Sequence, residues 1–265
     1  MQFAQVNDVT LHYQIIGAPK DKPAIVFANP LGTDFRVWRD VIVRLVGDFQ
    51  IVTYDKRGHG LSCVGSDDYS IDLHARDLAG LMDHLNMSQA FICGLSVGGM
   101  IAQAVAAQRN DLVKGLLLVA TGHKIGPPQM WEDRIQTVLN GGIAPLAPAV
   151  LERWVTTEWA QENPSDMLGY QNMVARQPVD GYLGTCGALR DADLTEASST
   201  LPMPVSVIVG DQDEVTPPAL AQELAKLVPD GRYDEIKNCR HLPCLEHAPL
   251  LSDIIKAFVA DVNGG

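Results

Sequence analysis

The sequence predicts an α/β fold: a mostly parallel central sheet, an antiparallel hairpin at one edge, and a helical cap inserted above the sheet. Three observations lead there. Short apolar runs alternate with helix-patterned stretches through residue 121, as strands joined by helices do. From 122 to 199 the spacing turns almost wholly helical, with no strand pattern of any strength. Strands then return before a last apolar helix. Because the sheet needs the strands on both sides, residues 1–121 and 200–265 form one core, and 122–199 are its cap (lid). A chain of 265 residues accommodates that single architecture.

The elements follow in order. Phe3–Val6 and Thr10–Ile15 alternate apolar and polar residues around Asn7-Asp8, a hairpin signal. Pro23–Asn29 is a continuous apolar run, as in a strand covered on both faces. Phe35–Leu45 has helical spacing, and Gln50–Asp55 is a strand ending in the turn KRGHGLS. Ser70 caps a helix carrying Leu73, Leu78, Leu81, Met82 and Leu85, with Asp72 placed to favour its dipole. AFICGL is a strand, VGGMIAQAVAAQ a helix, and Gly115–Thr121 the next strand. The cap holds Trp131, Trp154 and Trp159 and breaks at GPP, GG and NPSD. Pro204–Gly210 and Gly231–Ile236 are the final strands, and Pro249–Val259 the last helix.

Composition narrows the function. A net charge of −12 disfavours nucleic acid and anionic membrane surfaces as partners, because both need a basic face. No apolar stretch is long enough to cross a bilayer. The opening MQFAQVNDVTLHYQ has neither the basic nor the apolar region of a secretory signal. Five scattered cysteines, an odd number, then read as reduced thiols, so a cytoplasmic enzyme is expected. The sequence leaves a homo-oligomer open.

The chemistry centres on GLSVG, Gly94–Gly98, which matches G-x-S-x-G between a strand and a helix. So tight a bend leaves no room for side chains two positions before and after the serine. It presents Ser96 as a nucleophile and aims the following helix's N–H groups at an oxyanion. The competing explanation is an ordinary glycine-rich turn.

A serine nucleophile needs a base, and the base an orienting acid, in the chain order Ser, acid, His. Of seven histidines, His12 lies in the hairpin, His74 and His84 on the early helix, and His59 and His123 precede any suitable acid. His247 is near the last helix. His241 alone sits in the loop between last strand and last helix, and is the candidate base. Asp211, Asp213 and Glu214 share the loop after Gly210. Asp213 is chosen because a short turn is needed before the side chain can point back across the sheet. All three could instead only shape the loop.

Two backbone donors complete the expected site. Pro30 has no N–H, so Leu31 is the candidate from NPLGTD, partnered by Val97 after the nucleophile. Cys239, His241, Cys244 and His247 are all plausible zinc ligands. Their interleaved spacing departs from the usual paired blocks, so no metal is assigned. No phosphate-cradling glycine motif follows the first central strand, so no nucleotide cofactor is assigned either. In DKRGHGLS, Asp55 and Arg57 read as residues that pin the turn.

Over nearly its whole length the chain resembles the α/β-hydrolases, and within them the 3-oxoadipate enol-lactonases. NPLGTDFRVW, YDKRGHGLS, FICGLSVGGMIAQ, ATGHKIGPPQMWEDRI, GDQDEVTPPALAQELA and CRHLPCLEHAP occur in the expected order. GxSxG and RGHGxS mark the superfamily; Thr121–Ile135 and the Cys-Arg-His-Leu-Pro segment are more specific to the lactonases. Asn29-Pro30 departs from the His-Gly usual at that point of the superfamily. The resemblance implies an α/β-hydrolase fold and hydrolysis of an enol-lactone to 3-oxoadipate, in the β-ketoadipate route of aromatic degradation. It implies neither metal nor organic cofactor.

Such a substrate is a small anionic lactone, which a chain of charge −12 repels at long range. Salt screens that field beyond roughly 8 Å, so a local cation must decide binding. The cap offers Lys124, Arg134, Arg153, Arg176 and Arg190. Arg134 is the candidate because it follows Trp131 at i+3, pairing an apolar wall with a cation. Arg190 is second, and Trp154 is a further wall candidate. Each cation could instead serve a surface ion pair. A carboxylesterase, a C–C bond hydrolase or a perhydrolase would use the same triad, and a weakly catalytic receptor could retain it.

Overall fold

A computed structural model describes residues 1–17, 22–66 and 68–264. Strands β1 (Gln2–Val6), β2 (Val9–Ile16), β3 (Ala24–Ala28), β4 (Gln50–Tyr54), β5 (Ala90–Leu95), β6 (Val113–Val119), β7 (Val205–Gly210) and β8 (Gly231–Ile236) form one sheet. Their order is β1-β2-β4-β3-β5-β6-β7-β8. The leading hairpin pairs antiparallel with itself and with β4; all other pairs are parallel. Every residue of β5 and β7 is buried, which accounts for their unbroken apolar runs. Each of their larger apolar side chains contributes about 1.5–3 kcal/mol by leaving water.

Twelve α-helices cover the sheet among the described residues: α1 (Arg39–Leu45), α2 (Ile71–His84), α3 (Val97–Gln108), α4 (Pro128–Gly141), α5 (Ala147–Trp154), α6 (Thr157–Glu162), α7 (Pro164–Ala175), α8 (Val179–Asp191), α9 (Thr195–Ser199), α10 (Pro218–Leu227), α11 (Pro243–Glu246) and α12 (Ala248–Gly264). Helix α1 packs with α12, and α2 with α3. Strand β3 leads through α1 to β4 on one side, whereas β5 leads through α3 to β6 on the other. Right-handed crossovers in opposite directions put α1 and α3 on opposite faces. The carboxyl ends of β3 and β5 therefore border a crevice, the place where open α/β sheets bind ligands. Ala28 pairs with Gly94 there, so the two strands end level.

Local chemistry explains several element boundaries. The Ser70 hydroxyl accepts from Leu73 N at 3.1 Å and starts α2, as its sequence predicts. The expected helix Phe35–Leu45 divides into a 3-10 turn, Phe35–Trp38, and α1. Asp34 caps that turn by accepting from Arg36 N, and the Trp38 indole donates to Asn29, tying the turn to the end of β3. Helix α10 has no counterpart in the sequence reading. Pro217 and Pro218 occupy its N-terminus, where the first N–H groups have no intrahelical partner and proline is tolerated. The last helix runs beyond Pro249–Val259 at both ends.

Helices α4–α9 lie between β6 and β7, the span expected to be helical. Within it α4 packs with α8 and α5 with α7, while α9 packs back on α3 and α10. Trp131 and Trp154 are buried, and Trp159 packs against the core more loosely. The insertion meets the turn after β4 backbone to backbone. A Cβ on Gly181 of α8 would lie 2.1 Å from the Gly58 carbonyl oxygen, so neither position tolerates a side chain at this separation. No helix among the described residues is long and apolar enough to cross a membrane.

Candidate active site

Ser96 stands between β5 and α3 with φ +56° and ψ −120°, a conformation non-glycine residues rarely adopt. The flanking glycines explain how the bend closes. A Cβ on Gly94 would lie 2.2 Å from the Gly98 carbonyl oxygen, and one on Gly98 would lie 2.1 Å from that of Ala28. The backbone is fixed on both sides: Ser96 N donates to Val119 O at 3.0 Å, and Thr121 Oγ1 donates to Ser96 O at 2.6 Å. The Ser96 hydroxyl does not cap α3. It remains available at the crevice.

Asp213 and His241, 28 residues apart, meet in the interior: Nδ1 of His241 lies 2.8 Å from Oδ2 of Asp213. Asp213 follows β7 and His241 follows β8, so both reach the sheet edge where Ser96 stands. Asp213 Oδ1 accepts from Val215 N at 2.8 Å and Thr216 N at 3.0 Å, and Oδ2 accepts from Thr216 Oγ1 at 2.7 Å. Burial pushes this carboxyl up. The charge and hydrogen bond of His241, together with the Thr216 donors, outweigh burial and hold it below the ordinary value. Asp213 is thus a carboxylate placed to accept a hydrogen bond from Nδ1 of His241. Asp211 accepts from Cys239 N, and Glu214 gives its carbonyl to Arg153.

The histidine loop is fastened to the insertion. Glu246 Oε2 accepts from Arg240 N, and its Oε1 accepts from Thr156 N and Oγ1, each at 2.7 Å. Leu242 N donates to Trp154 O at 2.9 Å. The residues on both sides of His241 are therefore held. Trp154 contributes its carbonyl to this clasp, and its side chain is buried. Sequence reading missed Glu246, because backbone donors leave no motif.

Leu31 follows β3, and Val97 is the first residue of α3. The first N–H groups of a helix have no intrahelical acceptor, so Val97 N–H is free to bind an anion. In the Leu31 loop, Gly32 N donates to His59 Nε2 at 3.2 Å, while Asn29 bonds Tyr54 O at 2.8 Å and Trp38 Nε1 at 3.0 Å. Leu31 N–H has no backbone or side-chain acceptor among the described residues.

The two cap arginines differ. Arg190 is engaged by carboxylates of Glu132 and Asp191, each at 2.8 Å. Arg134 has no ion-pair partner among the described residues and lies over the Trp131 ring, 5.4 Å from its centroid. Burial raises the Tyr182 hydroxyl and the Cys186 thiol to about 12 each, and the nearby Arg134 charge opposes that shift in both. Tyr182 is itself buried against Gly32, so Arg134 faces the wall beside the Leu31 loop. Trp131 donates its indole N–H to Ile125 O at 2.6 Å and packs as part of that wall.

Other chemistry-bearing groups have structural partners. His12 Nδ1 lies 2.8 Å from Asp55 Oδ2, but this second buried pair has no hydroxyl or thiol on Nε2, which is unpartnered. Asp55 also accepts from Phe35 N and Leu61 N, and Arg57 binds Asp77 and Asp8, so both pin the turn. Cys239 and Cys244 are buried and their thiols raised by that burial, and among the described residues no cluster of metal-ligating groups forms around them. A cavity of about 780 Å³ opens between Asp34–Arg39 and α7, and neither Ser96, Asp213 nor His241 lines it.

Comparison with known proteins bears on this arrangement. Residues 19–248 match the family model described as serine aminopeptidase, S33. The chain is 31% identical over 257 residues to 3-oxoadipate enol-lactonase 2 of Acinetobacter baylyi, covering 97% of this chain and 96% of that one. It is 29% identical over 254 residues to 3-oxoadipate enol-lactonase 1 of the same organism, covering 96% and 94%. The crystal structure of the enol-lactonase from Burkholderia xenovorans superposes with a TM-score of 0.95 at 33% identity, covering 98% of this chain and 100% of that chain.

Proposed function

The chain belongs to the α/β-hydrolase family, and from that premise we propose that it opens 3-oxoadipate enol-lactone to 3-oxoadipate through an acyl-enzyme. The coarser conclusion is an ester or lactone hydrolase. The observation that carries the chemistry is the buried Asp213–His241 pair at 2.8 Å on the sheet edge that presents Ser96. The enol-lactonases that align along the whole chain support the substrate.

In this mechanism His241 Nε2 takes the Ser96 proton as the oxygen attacks the lactone carbonyl. Asp213 holds the imidazole in the required tautomer and stabilises it when charged. The N–H groups of Leu31 and Val97 bind the tetrahedral oxyanion, and removing one such donor costs about 3 kcal/mol of barrier. The carbonyl–oxygen bond of the ring then breaks. Its leaving group is an enolate, a weaker base than an alkoxide, so this step needs little acid assistance. His241 returns the Ser96 proton to that enolate, and the resulting enol ketonises; the neutral imidazole then deprotonates a water, which attacks the acyl-enzyme, and Ser96 leaves with that proton.

Arg134 is the proposed partner of the substrate carboxylate. Among the described residues it forms no ion pair, and it is set beside the buried Tyr182 and Trp131. Arg190 already neutralises two carboxylates and is the weaker choice. The test is hydrolysis of the enol-lactone, followed by its ultraviolet absorbance, in wild type and Ser96→Ala.

A further inference from the structure

The loop between β3 and the Phe35–Trp38 turn is braced by a buried cation. Lys56, at the end of β4, is only 1% exposed, and its Nζ donates to Pro30 O at 2.7 Å. Among the described residues it forms no ion pair within bonding distance; Asp55 and Asp34 act on it only through their fields. A lysine so placed is expensive to bury, and the bond to the Pro30 oxygen is what its head group makes there.

The Pro30 oxygen belongs to the same peptide unit as the Leu31 N–H. That oxygen accepts a second bond, from Thr33 Oγ1 at 3.0 Å. The next N–H in the loop, that of Gly32, is taken by His59. Burial and the Lys56 charge hold the His59 pKa far below its ordinary value, so the ring is neutral and accepts through Nε2. The loop is thus clamped at Asn29, Pro30 and Gly32, and Leu31 N–H is left without an acceptor among the described residues. A donor on a peptide oxygen draws electron density from its nitrogen and strengthens the N–H; such coupling amounts to perhaps 10–30% per bond and is larger for a charged donor.

We propose that Lys56 is a positioning residue for the hydrolysis, acting through the Pro30–Leu31 peptide to strengthen the Leu31 N–H as the oxyanion's donor. The inference rests on the Ser96 acyl-enzyme reading and extends it to a residue that never touches substrate. Burial lowers the Lys56 pKa to about 7 while Asp55 and Asp34 pull it back up. The amine retains N–H donors in both protonation states, so deprotonation weakens the bond to Pro30 without abolishing it. The effect should appear in the transition state, where negative charge develops on the carbonyl oxygen, and not in ground-state binding.

Two substitutions at Lys56 grade the bond. Lys56→Met keeps the stem without a donor, and Lys56→Gln restores a neutral one. Against the enol-lactone, kcat is expected to fall about tenfold in Lys56→Met, less than the ~100-fold or greater loss of a whole donor. Lys56→Gln should be intermediate, and KM should stay within about twofold in both. The inhibition constant of an alkylboronic acid, whose tetrahedral serine adduct carries the oxyanion, should rise by the same factor as kcat falls. Replacing Leu31 by its α-hydroxy acid removes the N–H, and in that background Lys56→Met should cost nothing further. If Lys56→Met fails to fold by near-ultraviolet circular dichroism, Thr33→Val, which removes the neutral donor from the same oxygen, should still lower kcat two- to threefold with KM unchanged, at the scale of about 0.5 kcal/mol. A rise in KM at constant kcat, an unchanged boronate constant, or an undiminished loss in the hydroxy-acid background would overturn the role of Lys56. Those results with Ser96→Ala inactive reject Lys56 alone; turnover by Ser96→Ala would reject the acyl-enzyme reading itself.

Discussion

His241 Nδ1 and Asp213 Oδ2 are 2.8 Å apart, and neither side chain is more than 2% exposed. The carboxylate accepts from three further donors, so its orientation does not depend on the imidazole. Asp213→Asn should preserve the backbone bonds to Val215 and Thr216 yet present the wrong partner to Nδ1. A kcat loss of about 10⁴-fold is expected, with the melting curve little changed. Steady-state kinetics with circular dichroism checks it, and a loss below tenfold in a folded variant would remove Asp213 from the mechanism.

Arg134 and Arg190 give opposite expectations although both lie on cap helices. Arg134→Ala should raise KM for the anionic lactone about tenfold and leave a neutral p-nitrophenyl ester unaffected, the loss of one charge-assisted contact of about 1.5 kcal/mol. Arg190→Ala breaks only partly exposed pairs to Glu132 and Asp191 and should leave both substrates near wild type. Equal losses on charged and neutral substrates for Arg134→Ala would discard its role.

Acid should unfold the protein partly through His74. Burial, assisted by the Lys56 and Arg57 charges, lowers this imidazole from 6.5 to about 3. The unfolded chain therefore binds a proton between those values that the folded chain refuses, and stability falls as pH drops through that window. The slope from this one group is at most about 1.4 kcal/mol per pH unit. Urea unfolding of wild type and His74→Leu between pH 6.5 and 4 should show a shallower decline in the variant. Parallel curves would mean that His74 is not the group responsible.

The sheet was legible because its strands are short apolar runs bounded by turn residues, and Gly94 and Gly98 announced the close backbone approach that the structure contains. The hairpin's alternation likewise foretold its antiparallel edge. Less legible were contacts made by backbone groups. Nothing in the periodicity of Lys56 or Glu246 shows that one seeks the Pro30 carbonyl and the other the amides of Arg240 and Thr156. The spacing to Trp131 ranked Arg134 above Arg190, but the ion pairs that occupy Arg190 were out of reach, because Glu132 meets it across 58 residues. The expected helix Phe35–Leu45 divides because Asn29 and Asp34 hold its first turn, an effect carried by tertiary hydrogen bonds and not by spacing.

The most direct measurement is the decay of enol-lactone ultraviolet absorbance with purified wild type and Ser96→Ala. Wild type should consume the lactone catalytically, while the alanine variant, folded by circular dichroism, should fall by about 10⁴-fold or more. Loss of absorbance at comparable rates in both proteins would contradict a nucleophilic Ser96, and with it the assignment of this crevice as the active site.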